Sequence, residues 1–195
     1  MKWLAFLLVV PLAILLLPAC MTVKLSLWPD MTPDDIPNFA QVDQGVYRGG
    51  QPTAMGWKKL RRLGVTKVVK LNSDNEGSDD GSEMIVHKYT ITVEQQLDPF
   101  YPVSQATIRE AVADIGPGTF VHCGSDARTQ SWLDKKLNIQ GGQDRTGLII
   151  ACYRLTTGWT VAAAQSEMRS RGFHWFELPG LEEAWKTFAK YYRKD

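Results

Sequence analysis

The apolar and polar positions divide the chain into an apolar leader, a polar connecting stretch and a long series of strand-like and helix-like segments. Residues 3–17 are almost wholly apolar, and residues 21–40 then carry three prolines, several acids and little periodicity. The latter composition predicts an extended tether. From Gln41 the pattern becomes regular. GVYRGG reads as a short strand ending in glycines, and TAMGWKKLRRLG as a helix with Trp57, Leu60 and Leu63 on one face. Thr53 caps that helix and Gly64 stops it. VTKVVKLN is rich in β-branched residues and predicts a buried strand, SDNEGSDDGSE a polar turn, and MIVHKYTITV an alternating strand. SQATIREAVADIG predicts a helix capped by Ser104, with Ile108, Val112 and Ile115 inward, and TFVH a short buried strand. GLIIACYRL, TVAAAQSEMRSRG and LEEAWKTFAKYY predict three further helices, the last with Leu181, Trp185, Phe188 and Tyr192 on one face. Strands and helices alternate and then helices follow alone, which predicts a three-layer α/β domain over 41–195 around a small, mainly parallel sheet.

The leader changes the picture of location. MKWLAFLLVVPLAILLLPAC has Lys2 as a positive start, an apolar run and Ala19 before Cys20, the pattern of an export signal. The end, Leu17-Pro18-Ala19-Cys20, resembles the bacterial lipobox, in which the cysteine is lipidated and becomes the new N-terminus. On that reading residues 1–19 are a lipoprotein signal peptide, 20–40 a tether, and the domain faces the periplasm or exterior from the bacterial cell envelope. Several acyl chains on Cys20 would hold it stably, where one alone binds marginally. The alternative is an uncleaved signal anchor, since the run, though slightly short, is not impossible for a span.

Charge then narrows the partners. The chain has 22 basic and 21 acidic side chains, and removing 1–19 takes away only Lys2. A near-neutral domain carries no electrostatic footprint for nucleic acid. Cys123 and Cys152 could pair in an exported chain. The apolar run around Cys152 favours two free thiols instead. His87, His122 and His174 are scattered and form no metal-ligand cluster. No metal or other cofactor is expected.

The candidate chemistry lies at 121–147, VHCGSDARTQSWLDKKLNIQGGQDRTG. Its right half is an anion site: Gly141 and Gly142 let backbone N–H groups turn inward, Gln143, Asp144 and Thr146 follow at a helix start, and Arg145 can fork onto two phosphate oxygens. Its left half supplies Cys123 at the C-terminal edge of a strand, where α/β sites form. Beside those groups its thiol is expected to be ionised and nucleophilic.

FVHC and GGQDRTGLIIACYR resemble the two sides of the His-Cys-x5-Arg-Thr-Gly signature of cysteine-dependent protein tyrosine phosphatases. VYRGGQP, LRRLGVTKVVKLN, GWTVAAAQSEMRSRGF and LEEAW occur in the order of the bacterial exported dual-specificity branch, over residues 40–190. The resemblance implies a two-step reaction through phosphocysteine. Cys123 attacks phosphorus, Arg145 and the loop amides hold the oxygens, and the Thr146 hydroxyl steadies the thiolate. An aspartic acid protonates the leaving group and then activates water. Asp98, in LDPFYP, occupies the expected loop; Asp144 is the fallback, better suited to ordering the loop amides, and Asp30 in WPD lies in the tether. The partners implied are a phosphorylated protein and, through Cys20, a membrane. A monomer is expected.

One feature departs from the signature. Cys123 and Arg145 are 22 positions apart where the family has six, an excess of 16, placed at about 124–139. Arg128 follows Cys123 at one residue too few, so Arg145 is preferred. Closing 16 residues costs roughly 2.5 kcal/mol, which folding tolerates. A misplacement of about 1 Å at a reacting group can cost on the order of 100-fold in rate. The reading is therefore an envelope-anchored phosphatase for phosphotyrosine, with phosphoserine and phosphothreonine as further substrates. Its alternatives are a catalytically impaired relative that binds phosphorylated partners or scaffolds at the membrane, and an interaction domain with no phosphate site.

Overall fold

A computed structural model describes residues 31–124 and 139–192. Residues 1–30, with Cys20 and Asp30, and residues 125–138, with Arg128 and most of the expected insertion, lie outside the described residues. Among the described residues, five strands form one sheet in the order β1-β2-β5-β3-β4: β1 (Ala40–Asp43), β2 (Val46–Gly50), β3 (Lys67–Lys70), β4 (Ile85–Lys88) and β5 (Thr119–Cys123). Only β1 runs antiparallel to its neighbour; β2, β5, β3 and β4 pair in parallel. The helices are α1 (Ala54–Arg62), α2 (Val93–Leu97), α3 (Gln105–Ala113), α4 (Asp144–Thr156), α5 (Val161–Ser170) and α6 (Pro179–Ala189). The three-layer α/β class read from the sequence is the observed one.

The period of two along β5 explains the layers. Phe120 packs with Tyr47, Trp57, Leu60, Val65, Val68 and Ile36 on the α1 side. Val121 and Cys123 join Val69, Leu71 and the apolar faces of α3 to α6 on the other side. Helix α4 is buried around its whole circumference through Leu155, as expected of a central helix with no solvent face.

Local signals account for the ends. The Thr53 hydroxyl accepts the Gly56 N–H at 3.2 Å and the Ser104 hydroxyl that of Thr107 at 3.0 Å. Gly64 takes φ +79° past α1, the left-handed stop that glycine makes without cost. Two expectations need correction. The strand expected over 84–93 covers only Ile85–Lys88, because Thr92 and Gln95 form a reciprocal capping box that starts α2. The expected tether over 20–40 is folded from residue 31: Ile36 is fully buried, the Gly50 N–H donates to Pro37 O at 2.7 Å, and β1 begins at Ala40. Both remaining cysteines are free and buried. No described helix is long and apolar enough to cross a membrane.

Candidate active site

Strand β5 delivers Cys123 to the C-terminal edge of the sheet, between the ends of β2 and β3. The chain then continues to Gly124 at φ +88°. A Cβ placed on Gly124 would lie 2.7 Å from the Gly141 Cα. The two Cα atoms are therefore within about 4.2 Å, close to the 3.8 Å of residues joined by a peptide bond. Cys123, Gly124, Gly141, Gly142, Gln143, Asp144 and Arg145 thus follow in space as five residues between a cysteine and an arginine. The junction lies at Gly124–Gly141, so the excess residues are 125–140, one position later than expected.

Glycine is required at this junction. Gly142 has φ +88°, and a Cβ there would sit 2.4 Å from the Gly49 carbonyl carbon. Two side chains hold the loop's carbonyls from outside. Asn38 Nδ2 donates to Gly141 O at 2.9 Å, and Arg48 Nη2 donates to Gly142 O at 2.6 Å. A trans peptide points its N–H opposite to its C=O, so both bonds turn the following N–H groups away from these donors. The Gln143 N–H meets Gln140 O at 3.4 Å, at the edge of hydrogen-bonding range, while Gln143 Oε1 accepts the Gln140 N–H at 2.8 Å. Helix α4 adds the unshared N–H groups of its first turn.

Arg145 lies in that first turn, and the Cys123 side chain is among the groups that favour its charged form. Its Nη2 and Nη1 donate to the two oxygens of Glu76 at 2.6 and 3.0 Å, and Nη1 also to Ile91 O at 3.2 Å. The guanidinium is thus gripped from one side, with its remaining donors free to meet an anion. Burial opposes its charge, but Glu76 and Cys123 outweigh that and hold its ionisation above the ordinary arginine value. Glu76 is itself fixed by the Ser73 N–H and hydroxyl, at 3.0 and 3.1 Å.

Behind this clamp is a buried polar network. His122 Nε2 meets Asp79 Oδ2 at 3.1 Å, Gln51 Nε2 donates to Asp79 Oδ1 at 2.9 Å, and fully buried Lys70 lies 3.0 Å from Asp74. Burial pushes His122 below its ordinary ionisation against the pull of Asp79. These contacts moor 73–82 to the sheet, and that segment carries Glu76. The sequence pattern presents it only as a polar turn. Its legible signal is the spacing Ser73-x-x-Glu76, a capping box.

Other expected residues fall in different places. Asp98 ends α2 and is exposed; its carboxylate accepts the Phe100 N–H at 2.8 Å, and no described hydrogen bond joins it to Cys123 or Arg145. Asp144, expected to order the loop amides, turns its side chain to the 171–178 segment. Its carboxylate accepts the His174 N–H at 2.7 Å and meets the His174 ring at 3.1 Å, tying α4 to the 171–178 loop. Only its backbone remains for the cradle. The Thr146 hydroxyl, expected on the Cys123 thiolate, donates to Gly49 O at 3.5 Å, where the end of β2 faces the first turn of α4. Burial pushes the Cys152 thiol well up, leaving it unreactive.

No family model matches the chain. Among curated relatives, "Putative tyrosine-protein phosphatase OCA1" of Yarrowia lipolytica is 25% identical over 141 residues, covering 68% of this chain and 49% of its own. "Inositol diphosphatase DSP3" of Arabidopsis thaliana is 22% identical over 142 residues, covering 71% of this chain and 64% of its own. The chain thus spans between about half and two thirds of these relatives. The core catalytic domain of the PP-IP phosphatase SIW14 from S. cerevisiae superposes with a TM-score of 0.54 at 18% identity, covering 81% of this chain and 87% of that one. P. aeruginosa TpbA gives 0.54 at 22% identity, covering 84% and 92%. Its fold and its curated relatives together support placing the chain in the cysteine-dependent tyrosine and dual-specificity phosphatase superfamily.

Proposed function

We propose that the protein is an envelope-anchored phosphatase that hydrolyses phosphotyrosine, with phosphoserine and phosphothreonine as further substrates. The observation that carries this reading is the approach of Gly124 to Gly141, which lets Cys123 and Arg145 share one anion cradle. In the first step the Cys123 thiolate bonds to phosphorus, the bond to the leaving oxygen breaks, and Asp98 gives that oxygen its proton. In the second, water attacks phosphorus, Asp98 takes the water's proton, and phosphate leaves as the thiolate re-forms. In this reading Asp98 serves the leaving group from its exposed position at the end of α2. The anchoring half of the proposal rests on the lipobox-like residues 17–20. Phosphotyrosine is favoured by relatives named for tyrosine phosphatase activity and by a Cys-to-Ser variant of TpbA solved with phosphotyrosine.

A second reading, an inositol diphosphate substrate, draws on the names of DSP3 and SIW14. Against it, Arg169 and Arg171 near the 171–178 loop are paired with Glu182 and Glu167, each at 3.5 Å. A polyanionic ring would call for unpaired cations there. The test is hydrolysis of an aryl phosphate, a phosphotyrosine peptide and a diphosphoinositol by the parent and by Cys123→Ser and Arg145→Met. Turnover of the aryl phosphate and the peptide that both variants abolish supports the proposal. Turnover that survives Cys123→Ser sinks the mechanism, and a preference for the diphosphoinositol replaces the substrate class. An inactive parent that still binds the peptide makes the chain a phosphate-binding relative.

A further inference from the structure

Strand β2 carries an arginine where packing alone would place an aliphatic residue. Arg48 lies on the face of the sheet that also holds Val121 and Cys123, in register with Val121, and is only 1% exposed. Its Nη2 reaches Gly142 O at 2.6 Å, but Nε and Nη1 are buried with no hydrogen-bond partner. Leaving two guanidinium nitrogens buried and unpaired is costly, so the contact to Gly142 is the structural return for keeping a cation there. Neighbouring charges come from three elements: Cys123 on β5, Arg154 on α4, and Glu167 and Arg171 at the end of α5. Burial and Arg171 lower the ionisation of Arg48 to about 10, against Cys123 and Glu167, which favour the cation. It is therefore charged at neutral pH.

We infer that Arg48 is a positioning residue of the anion cradle: it holds the Gly142 carbonyl outward, leaves the Gln143 N–H, on a long bond to Gln140 O, to be taken up by a bound phosphate, and sets a second cation near Cys123. The geometry leaves Gly142 little alternative. Its carbonyl is bonded to Arg48, and its Cα is pressed against Gly49 and Gly50, the residues that follow Arg48 on β2. Without Arg48 the Gly142 peptide has no donor to oppose its rotation, and a carbonyl swinging inward would meet the anion with like partial charge. The Gln143 N–H, now on Gln140 O at 3.4 Å, would be the donor lost.

This inference rests on reading the loop as a phosphate cradle, and the experiment separates the two. The full-length chain is treated with iodoacetate in rising inorganic phosphate, and carboxymethylation is followed at the Cys123 peptide by mass spectrometry, beside turnover of an aryl phosphate. Phosphate should protect Cys123 in the parent. Arg48→Met should need about tenfold more phosphate or worse, the loss expected for one hydrogen bond to a charged group. Arg48→Lys, which keeps the charge without the planar fork, should lose about threefold. A folded Arg48→Met protein protected like the parent overturns the inference. Should that variant fail to give a cooperative melt, Arg48→Lys decides by the same comparison. Protection of a parent that turns over nothing would remove the catalytic reading and leave Arg48's role standing. A parent that phosphate never protects removes the cradle, and this role with it.

Discussion

Glu76 grips the Arg145 guanidinium with both oxygens and hangs in turn from Ser73, so the orientation of the remaining guanidinium donors depends on one carboxylate 69 residues away in sequence. Burial opposes the charge on Glu76, but Arg145 and Ser73 outweigh it and hold its carboxyl below the ordinary glutamate value of 4.5. A group whose folded-state value is depressed stabilises the fold fully above its unfolded value, and that contribution is lost as the pH falls through the lowered one. Urea unfolding measured between pH 7 and pH 3 should therefore show stability falling below about pH 4.5. Glu76→Gln should flatten part of that fall. The same variant should lower kcat on an aryl phosphate by on the order of 10- to 100-fold, because a loosened Arg145 misplaces the phosphate. Unchanged kcat would mean that Arg145 is held by Ile91 O and the loop alone.

At the scale of elements, the split loop has a direct consequence. Gly124 and Gly141 stand about as far apart as bonded neighbours, so joining them and deleting 125–140 should leave the cradle standing. The deletion variant should bind phosphate and turn over substrate at least as well as the parent. It should also gain up to roughly 2.5 kcal/mol in urea unfolding from the shorter closure. A deletion variant that folds but no longer binds phosphate would refute the meeting of the two glycines. The helices and most strands were legible because their signals are local: Thr53 and Ser104 as caps, Gly64 as a stop, and the β-branched run ending at Lys70. Helix α2 and the Glu76 turn carry equally local capping boxes, at Thr92 and Ser73, that composition hides among other polar residues. The candidate cysteine and arginine were legible through their glycine-rich flanks. Asn38 and Arg48 were not, because what marks them is a carbonyl about 100 residues distant.

At the scale of the molecule, the domain begins earlier than its sequence boundary at Gln41. Ile36 fills the α1-side core, Asp35 pairs with Lys59 at 2.7 Å, and Asn38 braces the cradle. A chain starting at residue 41 should lose roughly 2–5 kcal/mol in urea unfolding against one starting at residue 31, the range for emptying a buried aliphatic site. Equal stability would show the segment to be dispensable. The way Gly124 meets Gly141 reaches further. Among the described residues the contacts that bring Cys123 to Arg145 across that seam are non-covalent: β2 pairs with β5, and Arg48 and Asn38 clasp the far side of the loop. Under the proposed function the protein is thus laid out as a split enzyme. Two fragments cut between 124 and 141 carry complementary halves of one site, and activity would report on whether the halves have found each other.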